Sequence, residues 1–381
     1  MKAIENLFTT NGDICLQTLK AFVKTNLNIK KYEKVLVFTD TINNKERLSS
    51  KEKKRRERLP LLAKQIQMVG EKYCHVSFFS YPALMSHGKE PPKELWENVF
   101  GKENIKKIER FWQKIEEKNI KKDEEKTIKN TLKNSHYDAF IALANFSTTH
   151  TLFRRILTDV CGARYASMPL FDEQMFSGPM AVDWQKTWQR TEKVKNILEG
   201  TKMLEVFTPQ GTHLEIYLNG RDILSDTGDL SKKGSCSNLP AGEVYFAPKE
   251  GKTKGKMVIE YSPTTRLKNP LILHIEKGNL LSIEGDDPFK ERLEGVFERM
   301  PLAKNIAELG IGTNDKAKRA DNILEAEKIL GTVHIAFGDN VSFGGNVSVP
   351  FHEDYIQFYP TVVLHKETGS FLLLQGGELC I

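Results

Sequence analysis

Apolar and polar positions fall into two textures along the 381 residues of the chain. In the first half, short runs rich in β-branched and aromatic residues stand between segments of helical spacing. The runs are KVLVFT at 34–39, HVSFF at 75–79 and YDAFIALA at 137–144. Leu59, Leu62, Ile66 and Val69 recur every three or four positions within 58–72, and a second helical stretch follows at 151–160. An apolar run without alternation suits a strand covered on both faces. Strand–helix alternation suits an open, mostly parallel sheet clothed in helices. The segment 183–198 reads as a helix joining the two halves and ending at Gly200.

Beyond Gly200 a period of two takes over. Segments 203–208 and 214–218 flank PQGT, a turn with Gly211 where positive φ is wanted. Strand patterns follow at 256–261, 271–275 and 280–283, a helical one at 289–300, and strands again at 355–363 and 370–374. The pattern predicts an α/β N-terminal domain with a mostly parallel sheet over residues 1–200. A β-rich α+β C-terminal catalytic domain is expected over 201–381. Between the second and third strands lies a lysine- and glutamate-rich stretch, 88–135. Trp96, Val99, Ile105, Ile108, Trp112 and Ile115 recur there at near-helical intervals. It reads as a basic helical excursion from the sheet domain, with a partner-binding arm as the alternative.

Composition narrows the class. The chain is 39% hydrophobic and 28% charged, as in a soluble globular protein, and lacks the run of about 18 apolar residues that spans a bilayer. The opening MKAIENLFTTNGD has no apolar core of a secretory signal. Five scattered cysteines without CxxC spacing read as reduced thiols, which points to a cytoplasmic location. The net charge of +6 owes much to 45–58 and 102–133. Glutamates interleave with those lysines and no aromatic stacking motif accompanies them, so they read as solvated helix surface and not as a nucleic-acid footprint. No GxxxxGK[ST], GxGxxG after a strand, HExxH or GxSxG motif is present.

The chemistry concentrates in 307–355. AELGIGTN (307–314), GTVHIAFGDN (331–340), FGGN (343–346) and PFHEDY (350–355) gather Glu308, Glu325, Glu327, His334, Asp339, His352 and Asp354. If 351–358 is a strand, His352 and Asp354 share a face and Glu353 turns away. Glu308 lies between Ala307 and Leu309, ahead of what reads as a double-glycine turn at Gly310 and Gly312. Glu243 sits similarly within NLPAGEVYFAP. A carboxylate among apolar neighbours is costly to bury unless paired or bound to a cation. Taken singly, these residues read as loop-edge glutamates, a hydrogen-bonded core histidine and a surface strand end. Taken together, carboxylates and imidazoles are the donors that divalent metals take from proteins.

Through NLPAGEVYFAP, AELGIGTN, the ILEAEKILGTVHIAFGDN block and the H-x-D strand, in that order and spacing, roughly residues 200–365 resemble the aminopeptidase T/aminopeptidase S metallopeptidases and their leucyl-aminopeptidase-like relatives. The resemblance implies metal ligands at Glu243, Glu308, His334, His352 and Asp354. It implies two divalent ions (zinc, cobalt, manganese or magnesium), a peptide substrate shortened from its N-terminus, and a homodimer with the active site in the C-terminal domain. In that family a further ligand glutamate lies five residues before the histidine. Here that position is Ile329, and the nearest carboxylate is Glu327. The family's catalytic tyrosine has no counterpart at 338–342, and Tyr355 is the candidate to replace it.

The mechanism so implied uses a metal-activated water with a pKa near about 7, as on zinc. Glu308 or Glu327 would carry its proton to the leaving amine. Asp339 and Asn340 would shape the substrate pocket. Two readings compete. One is a mononuclear non-haem iron dioxygenase of the same superfamily, which opens dihydroxypyridine rings and carries His where this chain has Glu308. There His352 and Asp354 would be joined by His334 as the second imidazole. The other is a non-catalytic binding protein with a degenerate site and the basic helical stretch as its contact surface.

Overall fold

The computed structural model describes residues 12–218 and 220–381. The chain divides into two compact units, Met1–Trp184 with Gly228–Pro240, and Gln185–Thr227 with Ala241–Ile381. In chain order the strands are β1 (Lys34–Thr41), β2 (His75–Pro82), β3 (Ala139–Ala142), β4 (Arg164–Ser167), β5 (Thr201–Phe207), β6 (His213–Tyr217), β7 (Leu224–Asp226), β8 (Cys236–Asn238) and β9 (Glu243–Phe246). They continue with β10 (Lys254–Tyr261), β11 (Arg266–Glu276), β12 (Asn279–Glu284), β13 (Ile306–Gly312), β14 (Val333–Gly338), β15 (His352–Gln357), β16 (Thr361–Lys366), β17 (Gly369–Gln375) and β18 (Glu378–Leu379).

The first unit is the α/β half. Its sheet runs β2-β1-β3-β4-β8 with every pairing parallel. Six consecutive residues of β1 are buried, because helices cover both faces and no side chain of the run meets water. The helix Ser50–Gly70 connects β1 to β2, and its first turn is closed by Ser49, whose hydroxyl accepts from the Glu52 amide at 3.2 Å.

The lysine-rich stretch is helical, as its spacing predicts, and packs into the first unit. It folds as the helices Lys93–Phe100, Lys102–Lys107, Trp112–Glu116 and Lys122–Thr131. Trp96 is fully buried and meets Phe100, Trp112 and Phe153 with ring centroids 5.2–5.7 Å apart. Ile105, Ile108 and Ile115 join the same core. The charged face carries ion pairs between its own lysines and glutamates, Lys93–Glu109 and Lys129–Glu125 at 2.5 and 2.8 Å. The near-helical apolar spacing was therefore a core stripe.

The second unit is antiparallel and β-rich. One sheet of eight strands runs β12-β11-β10-β6-β5-β16-β17-β18, and one of five runs β15-β14-β13-β9-β7. The inner faces share a core. Leu204, Val206, Leu214 and Ile216 come from the larger sheet, and Leu309, Ile311, Val333, Ile335 and Phe337 from the smaller. Strand alternation then decides what the other face of the smaller sheet presents. With Leu309 and Ile311 in the core, Glu308 and Gly310 must point away from it. With Val333, Ile335 and Phe337 in the core, His334, Ala336 and Gly338 do the same.

Two details differ from the sequence pattern. Gly310 and Gly312 form no turn; they lie inside the fully buried β13. The segment 355–363 is also not one strand. It breaks between β15 and β16, where Tyr359 takes φ 53° ahead of Pro360. Among the described residues no helix is long and apolar enough to cross a membrane.

Candidate metal centre

Register builds the site. Glu308 pairs with Ala336, and Ala336 pairs with Asp354, so two carboxylates flank a methyl group in one row across β13, β14 and β15. The adjoining row is Tyr245, Gly310, His334 and Ile356. Beyond it Gly312 pairs with Glu243 and Glu243 with Asp226. The small residues provide the room. A Cβ at Gly310 would lie 2.9 Å from His334 Cδ2 and closer still to Cε1 and Nε2. The His334 ring therefore lies over the bare backbone of β13, which is what the glycine is for.

Three donors meet on this face. One ligand atom each from Glu308, His352 and Asp354 lies within 4.8 Å of the other two, a group able to hold a metal ion. His352 Nε2 stands 3.4 Å from Glu308 Oε2 and 3.5 Å from Asp354 Oδ2. Its other nitrogen, Nδ1, is 2.8 Å from the Asp339 carbonyl oxygen, so the proton belongs on Nδ1 and Nε2 is left to bind. The His352 side chain keeps 31% exposure, against 11% for Glu308 and Asp354, so the group opens to solvent on that side.

His334 and Glu243 lie alongside but are differently engaged. His334 Nε2 is 3.3 Å from Glu308 Oε1 and 3.4 Å from Glu243 Oε2. The remaining Glu243 oxygen pairs at 2.6 Å with the ammonium of Lys328, which also pairs with Glu327 at 2.8 Å and is fully buried. No pattern in the sequence marks Lys328, because a lysine is an ordinary surface residue until the fold encloses it.

The electrostatics are those of a negative pocket. Burial raises the Glu308 carboxyl, but hydrogen bonds from His334 and His352 outweigh it and hold Glu308 well below the usual range. Burial lowers His334 and His352, yet the surrounding carboxylates win. His334 is pushed up to about 9, and His352 is raised well above its ordinary value, chiefly by Asp354. Glu327, despite its ion pair, is held up at about 8 by burial and by the nearby Asp354 and Glu243. Protons here neutralise charge that a cation would neutralise better. Buried atoms left without a hydrogen bond, Asp354 Oδ1 and His334 Nδ1, fit the same account. The donor set and these unsatisfied atoms suit a divalent metal cofactor.

Other expected site residues fall elsewhere. Tyr355 points to the opposite face of β15, is 1% exposed, and donates to Glu353 Oε1 at 2.5 Å while packing on Phe337 and Phe289. It cannot replace a catalytic tyrosine beside His352, because strand neighbours one apart face opposite ways. Glu325 accepts the amides of Lys318 and Arg319 at 2.9 and 3.1 Å and so holds a loop. Glu327 stays beside the site, paired with Lys328 at 2.8 Å. Asp339 and Asn340 are loop architecture: Asn340 Oδ1 accepts the Val347 amide at 2.9 Å, and Asp339 Oδ2 accepts that of Val349 at 3.2 Å.

That loop is the part the sequence least revealed. Glu250 accepts the Asn346 amide at 2.8 Å and the Asn340 Nδ2 at 3.2 Å, while Arg221 bonds both Glu250 and the Gly344 carbonyl. So anchored, Phe343 stands edge-on to Tyr245 and to His352, centroids 5.8 Å apart in each case.

Comparison with known proteins gives the fold a context. A family model described as NicX: 2,5-dihydroxypyridine 5,6-dioxygenase matches residues 179–368. The fold is similar to the structure of 2,5-dihydroxypyridine dioxygenase from Pseudomonas putida KT2440, with a TM-score of 0.66, 14% identity and 96% of each chain covered. It is also similar to wild-type AmpT from Thermus thermophilus, with a TM-score of 0.58 and 14% identity over 97% of this chain and 99% of that one. No curated protein matches. The chain thus has the α/β plus β-rich fold common to both structures.

Proposed function

We propose that this chain is a metal-dependent, ring-cleaving dioxygenase acting on a hydroxylated, nitrogen-containing aromatic ring, with one ion held by Glu308, His352 and Asp354. The observation that carries the reading is the pairing of that donor group with an aromatic wall. Phe343 stands edge-on to His352 on one side and to Tyr245 on the other, a wall against which a planar ring can lie. The family model over residues 179–368 supports the same chemistry.

A bound ferrous ion would supply the electrons that let triplet oxygen react with a singlet ring, which no side chain provides. The chain's own residues prepare the site. The Asp339 carbonyl fixes the His352 tautomer and ring plane. Burial, then Asp226, Glu308 and Glu243, raise the Tyr245 phenol, so its hydroxyl keeps its proton and can donate to a ring oxygen. The donor set departs from two imidazoles and one carboxylate, having Glu308 as a second carboxylate, with His334 behind it.

That carboxylate favours a second reading, metal-assisted removal of N-terminal residues from peptides. One experiment separates them. Protein loaded with iron(II) under anaerobic conditions is offered oxygen and a panel of dihydroxypyridines, and oxygen uptake is followed with ring absorbance. Parallel samples loaded with zinc, cobalt or manganese are offered aminoacyl anilides. Uptake of one oxygen per ring lost is expected. Anilide cleavage without oxygen uptake on any ring would refute the dioxygenase reading in favour of the peptidase.

A further inference from the structure

Five residues that the family resemblance assigns to a pair of ions do not form one cluster here. Glu308, His352 and Asp354 converge on one point. Glu243 and His334 belong to a second group, with Glu327, and that group already has a cation at its centre. Lys328 Nζ is 2.6 Å from Glu243 and 2.8 Å from Glu327, and its side chain has no exposure. His334 Nε2 faces the other Glu243 oxygen at 3.4 Å and links the groups through Glu308 at 3.3 Å.

A buried lysine needs a reason, since its ammonium gives up water that only close anions can replace. Here two carboxylates replace it, in hydrogen-bond contact. A second divalent ion on Glu243 would be brought against this fixed ammonium, which shares the same carboxylate at 2.6 Å.

We propose that the Lys328 ammonium stands in the place of a second metal ion, so that this chain binds a single divalent ion, at Glu308, His352 and Asp354. The inference rests on the metal centre of the reading above, though not on the reaction assigned to it. Lys328 is then a resident cation that sets the metal count. It neutralises Glu243 and Glu327 and leaves His334 free to orient Glu308.

The test is a metal count, independent of turnover. Full-length protein stripped with chelator is titrated anaerobically with cobalt(II), followed by calorimetry and visible absorption, then dialysed and analysed for metal per chain. One ion is expected for the wild type and for Lys328→Arg, which keeps the charge. Two are expected for Lys328→Ala, which empties the space between Glu243, Glu327 and His334. Two ions in the wild type would overturn the inference while leaving a metal enzyme. A folded Lys328→Ala protein that still binds one would overturn it too, because the vacated carboxylates would then form no ion site. No ion in the wild type would remove the metal centre itself, and the inference with it. If Lys328→Ala does not fold without metal, refolding with cobalt(II) decides. Recovery of native circular dichroism with two ions bound supports the substitution of cation for cation. Recovery with one ion, or none at any cobalt concentration while Lys328→Arg folds normally, overturns it.

Discussion

Gly310→Ala isolates the link between strand register and site geometry, because it adds one methyl group and no charge. The new Cβ would sit 2.9 Å from His334 Cδ2 and nearer to Nε2 and Cε1, inside the separation of about 3.5–4.0 Å at which carbon atoms attract. The ring cannot retreat freely, since His334 is 1% exposed and lies in a strand bonded on both sides. Overpacking of this kind costs about 1–3 kcal/mol. In a unit of about 180 residues, each kcal/mol moves the melting temperature by about 2–4 °C, so the expected loss is about 2–12 °C. Displacing the ring also removes the partner of Glu308 Oε1, and losing such an outer hydrogen bond weakens metal binding about 10–100-fold. Calorimetric melting of the chelator-treated protein and a cobalt(II) titration measure the two effects separately. A variant that melts within 1 °C or so of wild type and binds cobalt(II) equally well would refute the account of why glycine stands at 310.

Three further predictions follow from other parts of the molecule. Asp354→Asn removes one anionic donor of the triad and should cost at least about 100-fold in cobalt(II) affinity, read by competition with a chelating dye, with little change in far-ultraviolet dichroism. Glu250→Ala deletes the acceptor shared by Asn340, Asn346 and Arg221; at about 1–3 kcal/mol it should raise protease cleavage within 341–349 roughly 5- to 150-fold, and an unchanged cleavage rate would show the loop is held elsewhere. Glu90 in the first unit is raised from 4.5 to about 7, mainly by burial, although it accepts the Leu152 and Phe153 amides. The folded chain therefore holds a proton that the unfolded chain has released, and stability falls as pH rises from about 4.5 through 7. At about 1.4 kcal/mol per unit, the loss relative to Glu90→Gln should approach about 3 kcal/mol between pH 5 and 8 in urea unfolding, and parallel curves for the two proteins would contradict it.

Much of this was legible in the sequence where a period carried the information. The runs at 34–39 and 75–79 fall within β1 and β2, and period two after Gly200 marks the antiparallel half. The H-x-D spacing put His352 and Asp354 on one face because strand geometry leaves no other arrangement. What escaped depends on three-dimensional neighbours. Gly310 and Gly312 resemble a turn until His334 and the Ile329 carbonyl are seen to need the space above them. Tyr355 had the right chemistry and the wrong parity. Lys328 has nothing local to distinguish it from a surface lysine. Its partner Glu243 is far away along the chain, and only the pairing of β9 with β13 brings that carboxylate to it.

The bond between His352 Nδ1 and the Asp339 carbonyl does more than aim a ring. Asp339 opens the loop that carries Phe343, and Asn340 and Glu250 tie down the rest of it. An ion held by Nε2 would fix the tautomer that makes this bond, and an ordered loop presents the carbonyl that favours that tautomer. Occupancy of the centre and order of the loop would therefore be thermodynamically linked, each strengthening the other by the same factor. The order of the wall that Phe343 forms with Tyr245 would then depend on whether the centre holds an ion.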